Sequence, residues 1–234
     1  GYYVVRNHSS IIAFKAGKKL EDCAFLITAS HSDSPAFKLK ENAELSVRGK
    51  YIKLNTEGYG GMLCASWLDR PLSVAGRVIV KEDHNMAVKL VKLDRDLVMI
   101  PSLAIHMDRN VNDGHAYNKQ KDMLPVFGSG SLEKGSLKKL VAQELQIEAE
   151  QIYGMDLFLY NRMEPSVWGA EQEYFSCAQL DDLQCAYASL QGFLKGSNDS
   201  AVNVYACFDN EEVGSVTKQG AASTMLYDTL WRVN

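Results

Sequence analysis

Cysteine is scarce in this sequence, and its few copies are scattered. There are five in 234 residues, an odd number, and no two of them form a Cys-x-x-Cys pair. This pattern argues against a disulfide framework and against a thiolate zinc site, and it favours the reducing cytoplasm as the location. The five are Cys23, Cys64, Cys177, Cys185 and Cys207.

Long apolar runs and an excess of basic charge are also missing. The longest apolar runs fall far short of the roughly 20 residues that a membrane span needs. The formal net charge is -4, so the sequence has no electrostatic footprint for nucleic acid or an anionic membrane surface. Residues 1–6 lack the basic start and the cleavage site of a signal peptide. They have the pattern of a strand already in progress, and we expect the natural chain to begin earlier.

The first part of the sequence has the pattern of an α/β domain. Residues 3–5 and 11–16 are short β-prone runs on either side of a polar turn. Residues 24–29 are almost continuously apolar, which predicts a strand buried on both faces. Polar residues follow this strand at once, and open α/β sheets carry their functional sites at the carboxyl ends of such strands.

The middle of the sequence changes to short, closely spaced strands. Glycines and an Asp-His-Asn turn separate them. The predicted strands cover residues 51–54, 63–67, 77–81, 87–93 and 97–100. An exposed polar loop is predicted over 110–121, and a helix over 136–145 with Ser136 as its N-cap. We therefore expect a β-rich module here.

The α/β pattern returns towards the end of the sequence. A strand is predicted over 155–160, and a helix begins at Asp181 with apolar residues at 3.6-residue spacing. Residues 202–208 predict a second buried strand that runs directly into an acidic segment, and residues 221–231 predict a last helix. The organisation is an α/β domain interrupted by a β-rich insertion.

Three polar clusters lie at the ends of predicted strands or at the start of a helix. They are His31-x-Asp33, Asp181-Asp182 and Glu211-Glu212. One histidine with several carboxylates suits a pair of divalent ions such as Zn²⁺, Mn²⁺ or Co²⁺. Each cluster alone also has an ordinary explanation: a hydrogen-bonded histidine, a helix N-cap and a solvated pair. Their shared position favours the metal site, because adjacent buried carboxylates are costly without a cation.

Two longer motifs contain these clusters and resemble motifs of the aspartyl aminopeptidases. His31-Ser32-Asp33-Ser34-Pro35 is similar to that family's His-Thr-Asp-Ser-Pro motif. Asp209-Asn210-Glu211-Glu212-Val213-Gly214-Ser215 matches its second signature. Further similar segments follow the family's order at 59–61, 67–70, 75–78, 105–106 and 109–110. The resemblance therefore covers essentially the whole chain.

The resemblance implies a fold and a division into domains. The fold would be a zinc-peptidase-like α/β/α sandwich with a mixed sheet, interrupted by an inserted β-rich dimerisation domain. Residues 1–45 and 165–234 would form the two parts of the catalytic α/β domain. Residues 46–164 would form the inserted oligomerisation domain. We expect the family's N-terminal segment and its C-terminal third to lie outside this sequence.

The resemblance also assigns roles to the clustered residues. His31 and Glu212 would each bind one of two divalent ions, and Asp181 would bridge them. We expect both ions to be Zn²⁺, ahead of Mn²⁺ or Co²⁺. Glu211 would be the general base of catalysis, and Asp33 would orient the His31 imidazole.

A separate role falls to His106 on the inserted domain. By resemblance it would reach the active site of a neighbouring subunit and bind substrate there, whereas its spacing alone fits an ordinary loop histidine. The implied partners are peptide substrates and further copies of the chain in a large homo-oligomer, without nucleic acid or membrane.

The implied function is metal-dependent hydrolysis that removes N-terminal Asp and Glu from peptides. Two departures from the family pattern concern the metal site. Gln179-Leu180-Asp181-Asp182 stands where the family has Arg-Leu-Asp-Asn, and the family's last Asp and His ligands lie downstream of Asn234. A glutamyl or broad-specificity tetrahedral-type aminopeptidase is the alternative enzyme. A truncated, non-catalytic subunit or scaffold is the alternative outside the enzymes.

Overall fold

The structure is a computed structural model that describes residues 1–17 and 24–233, so Cys23 lies outside the described part. Its strands are β1 (Tyr2–Arg6), β2 (Ser10–Ala16), β3 (Ala24–His31), β4 (Ala36–Val47), β5 (Tyr51–Tyr59), β6 (Leu72–Glu82), β7 (Asn85–Lys92), β8 (Val126–Ser129), β9 (Ile152–Asn161), β10 (Ser166–Trp168), β11 (Tyr174–Ser176) and β12 (Ala201–Phe208). Its α-helices are α1 (Ser136–Leu145), α2 (Leu180–Lys195) and α3 (Met225–Val233). These elements form two compact units, a first of Gly1–Pro35 with Gln179–Asn234 and a second of Ala36–Ala178.

The first unit is built on a four-stranded mixed sheet in the order β1-β2-β12-β3. β12 runs parallel to β3 and antiparallel to β2. On one face of β12, Val204 and Ala206 pack with Met225 of α3. On the other face, Tyr205 and Cys207 pack against α2. Helices therefore cover both faces of the sheet, which confirms the predicted α/β/α sandwich with a mixed sheet.

The prediction that the strand over 24–29 is buried on both faces is wrong. The strand is β3, and it lies at the edge of the sheet, where it pairs with β12 among the described residues. Leu26 and Ile27 keep 48% and 43% of their surface exposed. A continuous apolar run identifies a strand, but it does not show which neighbouring elements cover that strand.

The second unit confirms the predicted β-rich module. Six strands form an antiparallel sheet in the order β7-β6-β9-β4-β5-β8. This sheet and α1 enclose an apolar core that includes Phe37, Leu54, Leu72, Leu137 and Leu157. β10 and β11 form a separate hairpin. The second unit thus has a core of its own, as expected of an inserted domain.

Two of the short strands predicted for this unit are wrong. Residues 63–67 contain a 3-10 helix, and the Ser66 hydroxyl closes its first turn by donating to the Leu63 carbonyl at 2.7 Å. In the segment 97–100, residues 98–100 make isolated bridges, because successive residues pair with different parts of the unit. Both segments have the apolar character of strands, but their hydrogen-bond partners are set by the tertiary fold.

The N-cap of α1 also differs from the prediction. The Ser136 hydroxyl donates to the Glu133 carbonyl and does not cap the helix. Instead the Glu44 carboxylate, on β4, accepts hydrogen bonds from the amides of Gly135 and Leu137 at 2.6 and 2.7 Å. A cap supplied by a distant strand has no local signature in the sequence.

The two units divide the chain at 35/36 and 178/179, whereas the sequence placed the domain boundaries at 45/46 and 164/165. The first difference arises because β4 begins directly after Pro35 and pairs with β5 and β9 of the second unit. The second arises because the β10–β11 hairpin groups with the second unit. None of the described helices combines the length and the apolar character that crossing a bilayer requires.

Candidate metal centre

β3 and β12 are parallel neighbours that end level with each other. His31, the last residue of β3, pairs in register with Phe208, the last residue of β12. The Ser32 amide then donates to the Phe208 carbonyl at 2.9 Å. Because the chain leaves both strands at the same edge, the histidine motif and the Glu pair meet at the carboxyl end of the sheet.

The His31 imidazole is largely buried, with 15% of its side chain exposed. Its Nδ1 lies 3.0 Å from the Asp33 carbonyl oxygen. A hydrogen bond from Nδ1–H to that oxygen leaves Nε2 with the lone pair that a metal ligand needs. Asp181 Oδ1 lies 3.4 Å and Glu211 Oε2 lies 3.9 Å from Nε2. The imidazole therefore presents its coordinating nitrogen to the carboxylates.

The surrounding carboxylates favour the protonated form of His31. Burial lowers the pKa of His31, but the Asp33 carbonyl and the charges of Asp182, Asp33 and Glu211 together outweigh that effect, so the pKa lies above its ordinary value. A divalent cation bound at Nε2 would take the place of that proton, so metal binding at this site should release protons.

The Asp33 carboxylate holds the backbone of the Glu pair. Its Oδ1 accepts a hydrogen bond from the Glu211 amide and its Oδ2 accepts one from the Glu212 amide, both at 3.1 Å. Its Oδ1 is also 3.4 Å from His31 Nδ1, farther than the Asp33 carbonyl. The side chain is 8% exposed. The predicted role of orienting His31 stays a prediction, and the amide contacts add a second role that the sequence did not indicate.

Glu211 and Glu212 lie in a 3-10 helix that follows a left-handed residue, Asn210, with φ of 63°. The Glu211 side chain is 54% exposed, while Glu212 is partly buried. Burial, and then the negative charge of Glu211, raise the pKa of Glu212, against a smaller opposing effect of His31. Ligand atoms of His31, Glu211 and Glu212 all lie within 4.8 Å of one another. These three side chains therefore converge on one position.

Asp181 and Asp182 stand at the start of α2 with non-helical backbone angles, and a cis peptide bond joins them. The Asp181 side chain is 86% exposed beside His31, and its carbonyl accepts a hydrogen bond from the Ser34 hydroxyl at 3.0 Å. Asp182 instead accepts from the His31 amide at 3.1 Å. Burial raises the pKa of Asp182, but hydrogen bonds from Cys185 and His31 lower it below its ordinary value.

Asp182 is a site residue to which the sequence assigned no role. Its carboxylate accepts a hydrogen bond from the His31 amide. An acidic residue at a helix start is typical of an N-cap, and the sequence pattern indicates no more than that. The contact with His31 joins the helix start to the end of β3 and has no local signal. Asp182 thereby links the Asp pair to the histidine motif.

The donor atoms fit a zinc site. An imidazole nitrogen and carboxylate oxygens are the ligands that zinc accepts when thiolates are absent. Two neighbouring carboxylates, one of them with a raised pKa, repel each other unless a cation lies between them. His31, Asp181 and Glu212 are the residues that would hold the ion. Glu211 is close enough to be a ligand or a base.

His106 belongs to the second unit, whereas the clusters named above belong to the first. It stands in a turn that the Met107 amide closes by donating to the Ala104 carbonyl at 2.8 Å. Its side chain is exposed. Its assigned role in a neighbouring subunit stays a prediction.

The whole sequence, residues 1–234, matches the family described as aminopeptidase I zinc metalloprotease (M18). The chain belongs to the M18 family of zinc metalloproteases. This membership confirms the resemblance from which the site residues were assigned, since M18 relatives include proteins named as aspartyl aminopeptidases.

Two curated M18 relatives illustrate the match. A Clostridium novyi (strain NT) protein named probable M18 family aminopeptidase 2 is 44% identical over 238 residues, which cover 99% of this chain and 55% of the relative. Aspartyl aminopeptidase 4 of Saccharomyces cerevisiae is 35% identical over 266 residues, which cover 100% of this chain and 54% of the relative. The chain thus spans about half the length of the curated relatives it matches.

Solved M18 structures share the fold of the whole chain. A chain in the cryo-EM structure of the Ape4 and Nbr1 complex has a TM-score of 0.91 and 36% identity, with 99% of this chain and 49% of that chain covered. The structure of the S. cerevisiae mApe1 dodecamer has a TM-score of 0.81 and 25% identity, with 98% of this chain and 54% of that chain covered.

Proposed function

We propose that the full-length protein is a zinc aminopeptidase that removes Asp and Glu from the N-termini of peptides. The observation that carries this proposal is the convergence of His31, Glu211 and Glu212, whose ligand atoms lie within 4.8 Å of one another at the carboxyl edge of the sheet. M18 membership supports zinc and aminopeptidase chemistry at this site. The aspartyl aminopeptidase relatives support the acidic preference.

The exposure and the contacts of these residues suggest a separate role for each in metal binding or catalysis. His31 Nε2 and the Glu212 carboxylate would hold zinc. When bound, zinc would act as a Lewis acid on the scissile carbonyl and would lower the pKa of water. Glu211 would take a proton from the attacking water and return it to the leaving amine. Its side chain is 54% exposed, so water can reach the carboxylate.

We propose two metal ions, with Asp181 between them. Asp181 Oδ1 lies 3.4 Å from His31 Nε2, so the carboxylate could share an ion with the imidazole. The side chain is 86% exposed, which leaves space for a second ion on its other oxygen. Zn²⁺ is the expected metal, and Mn²⁺ or Co²⁺ would suit the same donor atoms.

We also propose that the protein assembles into a homo-oligomer and acts in the cytoplasm. The dodecamer of the structurally similar mApe1 supports self-association. The scattered cysteines of the sequence support a reducing compartment.

Hydrolysis of acidic substrates by the full-length protein tests this function. Asp- and Glu-linked amides are compared with Leu- and Ala-linked amides, with and without added Zn²⁺, Mn²⁺ or Co²⁺. Because Glu211→Gln removes the base but keeps the side-chain size, we expect kcat to fall about 10²- to 10⁴-fold. Glu171→Gln, at an exposed position of the β10–β11 hairpin, serves as the matched control.

Each outcome separates the alternatives. Zinc-dependent hydrolysis that favours Asp and Glu supports the proposal. Hydrolysis that favours neutral residues indicates a broad-specificity aminopeptidase with the same metal site. No hydrolysis with any of the metals rejects the enzyme and leaves a scaffold subunit.

A further inference from the structure

One buried hydroxyl joins three separate segments next to the metal centre. Ser10, the first residue of β2, is 1% exposed. Its Oγ donates to the Gln219 carbonyl at 2.6 Å and accepts from the Asp209 amide at 2.9 Å. Both hydrogen-bonding roles of the hydroxyl are therefore used. The first connects β2 to the loop 215–220, and the second connects β2 to the first residue after β12.

The last residue of β1 and the first residue of the turn after it also hold this loop, through their side chains. Arg6 Nη1 donates to the Lys218 carbonyl at 3.0 Å. Asn7 Nδ2 donates to Gln219 Oε1 at 2.8 Å. These two contacts lie nearer the surface than that of Ser10, so the buried hydroxyl is the innermost of three links between the turn and the loop.

The loop 215–220 in turn holds the residue that precedes the Glu pair. Thr217 Oγ1 donates to Asn210 Oδ1 at 2.8 Å, and the Ser215 amide donates to the Asn210 carbonyl at 2.9 Å. The Asp209 carboxylate accepts from the Asn210 amide at 2.8 Å. Asn210 is thereby kept in the left-handed conformation that turns the chain into Glu211.

We propose that Ser10 is a positioning residue for the acidic segment Asp209–Glu212. Without its hydroxyl, the Asp209 amide would keep only a longer contact of 3.4 Å with the Gln219 carbonyl. Asp209 is partly buried, and an amide there without a good hydrogen bond is unfavourable, so the segment would shift or open. Because zinc ligands must lie within narrow distances, such a shift would weaken zinc binding. This last consequence rests on the proposed function, whereas the loosening of the segment does not.

Hydrogen exchange in the zinc-free, full-length protein tests the structural step. Ser10→Ala is compared with Ser9→Ala, which deletes the same atom from a neighbour whose buried Oγ has no hydrogen-bond partner among the described residues. We expect amides of the segment Asp209–Glu212 to exchange about tenfold faster in Ser10→Ala and at the wild-type rate in Ser9→Ala. Equal rates in the two variants would overturn the proposal.

A second pair of variants serves if Ser10→Ala does not fold. Thr217→Val removes the hydroxyl that donates to Asn210 with little change of shape, and Thr217→Ser restores it. Faster exchange of the segment in the valine variant and wild-type exchange in the serine variant support the positioning network. Wild-type exchange in both variants contradicts it.

Zinc titration then separates this proposal from the proposed function. If the wild type binds zinc, we expect Ser10→Ala to raise the apparent dissociation constant about 10- to 100-fold, and Ser9→Ala to leave it unchanged. A wild type that binds no zinc would reject the proposed function, while the exchange rates would still decide the role of Ser10. Unchanged zinc affinity in a Ser10→Ala variant with faster exchange would overturn the link from the network to the metal.

Discussion

Asp33 contacts both the Glu pair and the histidine of the candidate metal centre. Its carboxylate accepts the amides of Glu211 and Glu212, one on each oxygen, and its carbonyl faces His31 Nδ1. A carboxylate can accept at both oxygens, whereas asparagine has one acceptor and would turn an NH2 group towards an amide N–H. The charge of Asp33 therefore matters for backbone geometry as well as for the imidazole.

Because asparagine has one acceptor oxygen where aspartate has two, Asp33→Asn should disturb the backbone of the Glu pair. We expect the full-length variant to fold, because the side-chain size is kept, but to bind zinc about 10- to 100-fold more weakly. Competition with a fluorescent zinc chelator measures the affinity. Asp113→Asn, at an exposed position of a short 3-10 helix in the second unit, is the control and should bind as the wild type does. Wild-type affinity in Asp33→Asn would mean that the two amide contacts do not shape the site.

Among the elements, β9 depends on a charged contact with the strands on both sides. Asp156 Oδ1 is 2.8 Å from Lys38 Nζ of β4, and its Oδ2 accepts a hydrogen bond from Arg77 Nε of β6 at 3.1 Å. Burial raises the pKa of Asp156, but the two cations together lower it below its ordinary value. The carboxylate therefore stabilises the central strands of the second unit in its charged form.

The sign of this pKa shift predicts a pH dependence. Because the pKa is lower in the folded state, the stabilisation is complete above the ordinary carboxylate pKa of about 4 and is lost as the pH falls through the lower folded value. Asp156→Asn should reduce the free energy of unfolding by about 1–2 kcal/mol at pH 7 and should lose less stability than the wild type on acidification. Chemical denaturation at pH 7 and below pH 4 measures both.

The control for this prediction is Asp83→Asn in the β6–β7 turn. Asp83 has a φ of 51°, a conformation that asparagine also tolerates, so the change should be nearly neutral. An Asp156→Asn variant as stable as Asp83→Asn at pH 7 would contradict a stabilising role for the charged contact.

The elements that the sequence predicted well are those with strong local patterns. The apolar strand that became β12, the helical spacing of α2 and the strands that became β5, β6, β7 and β9 were identified. The exposure of β3, the capping of α1 by Glu44 and the bridges of 97–100 were not. These three features depend on contacts between residues far apart in the chain, which local periodicity does not encode.

The site follows the same rule. Residue types and motifs predicted His31, Asp181, Glu211 and Glu212 as site residues, and the structure places these side chains near one another. Their roles stay predictions. The contacts that hold these residues, from Ser10 to Asp209 and from Asp182 to His31, join distant segments of the chain and were missed. Hydroxyl and carboxylate side chains are common at turns, so only the fold shows which ones support a site.

For the whole molecule, the predicted role of His106 in the active site of a neighbouring subunit can be tested by mixing two weakly active variants. Full-length His106→Ala and Glu211→Gln are each expected to be weakly active alone. Co-expressed and randomly mixed, they should regain about a quarter of wild-type activity, because a quarter of the sites would combine Glu211 with a neighbour's His106. Activity no greater than that of the separate variants would mean that His106 acts within its own subunit or has no role.

A second mixture is the control for this experiment. His31 and Glu211 belong to the same site of the same chain. In oligomers that mix His31→Ala chains with Glu211→Gln chains, every site therefore carries one of the two substitutions. We expect no recovery of activity. Recovery here would show that mixing itself, and not His106, restores the enzyme.

Anomalous diffraction at the zinc edge, from crystals of the zinc-loaded full-length protein, locates the bound metal independently of activity. We expect an anomalous peak about 2.0–2.2 Å from His31 Nε2 and from a carboxylate oxygen at the same sheet edge. A second peak within reach of Asp181 would establish the two-ion site. No peak at this edge, with zinc bound elsewhere or not at all, would contradict a zinc site built on His31.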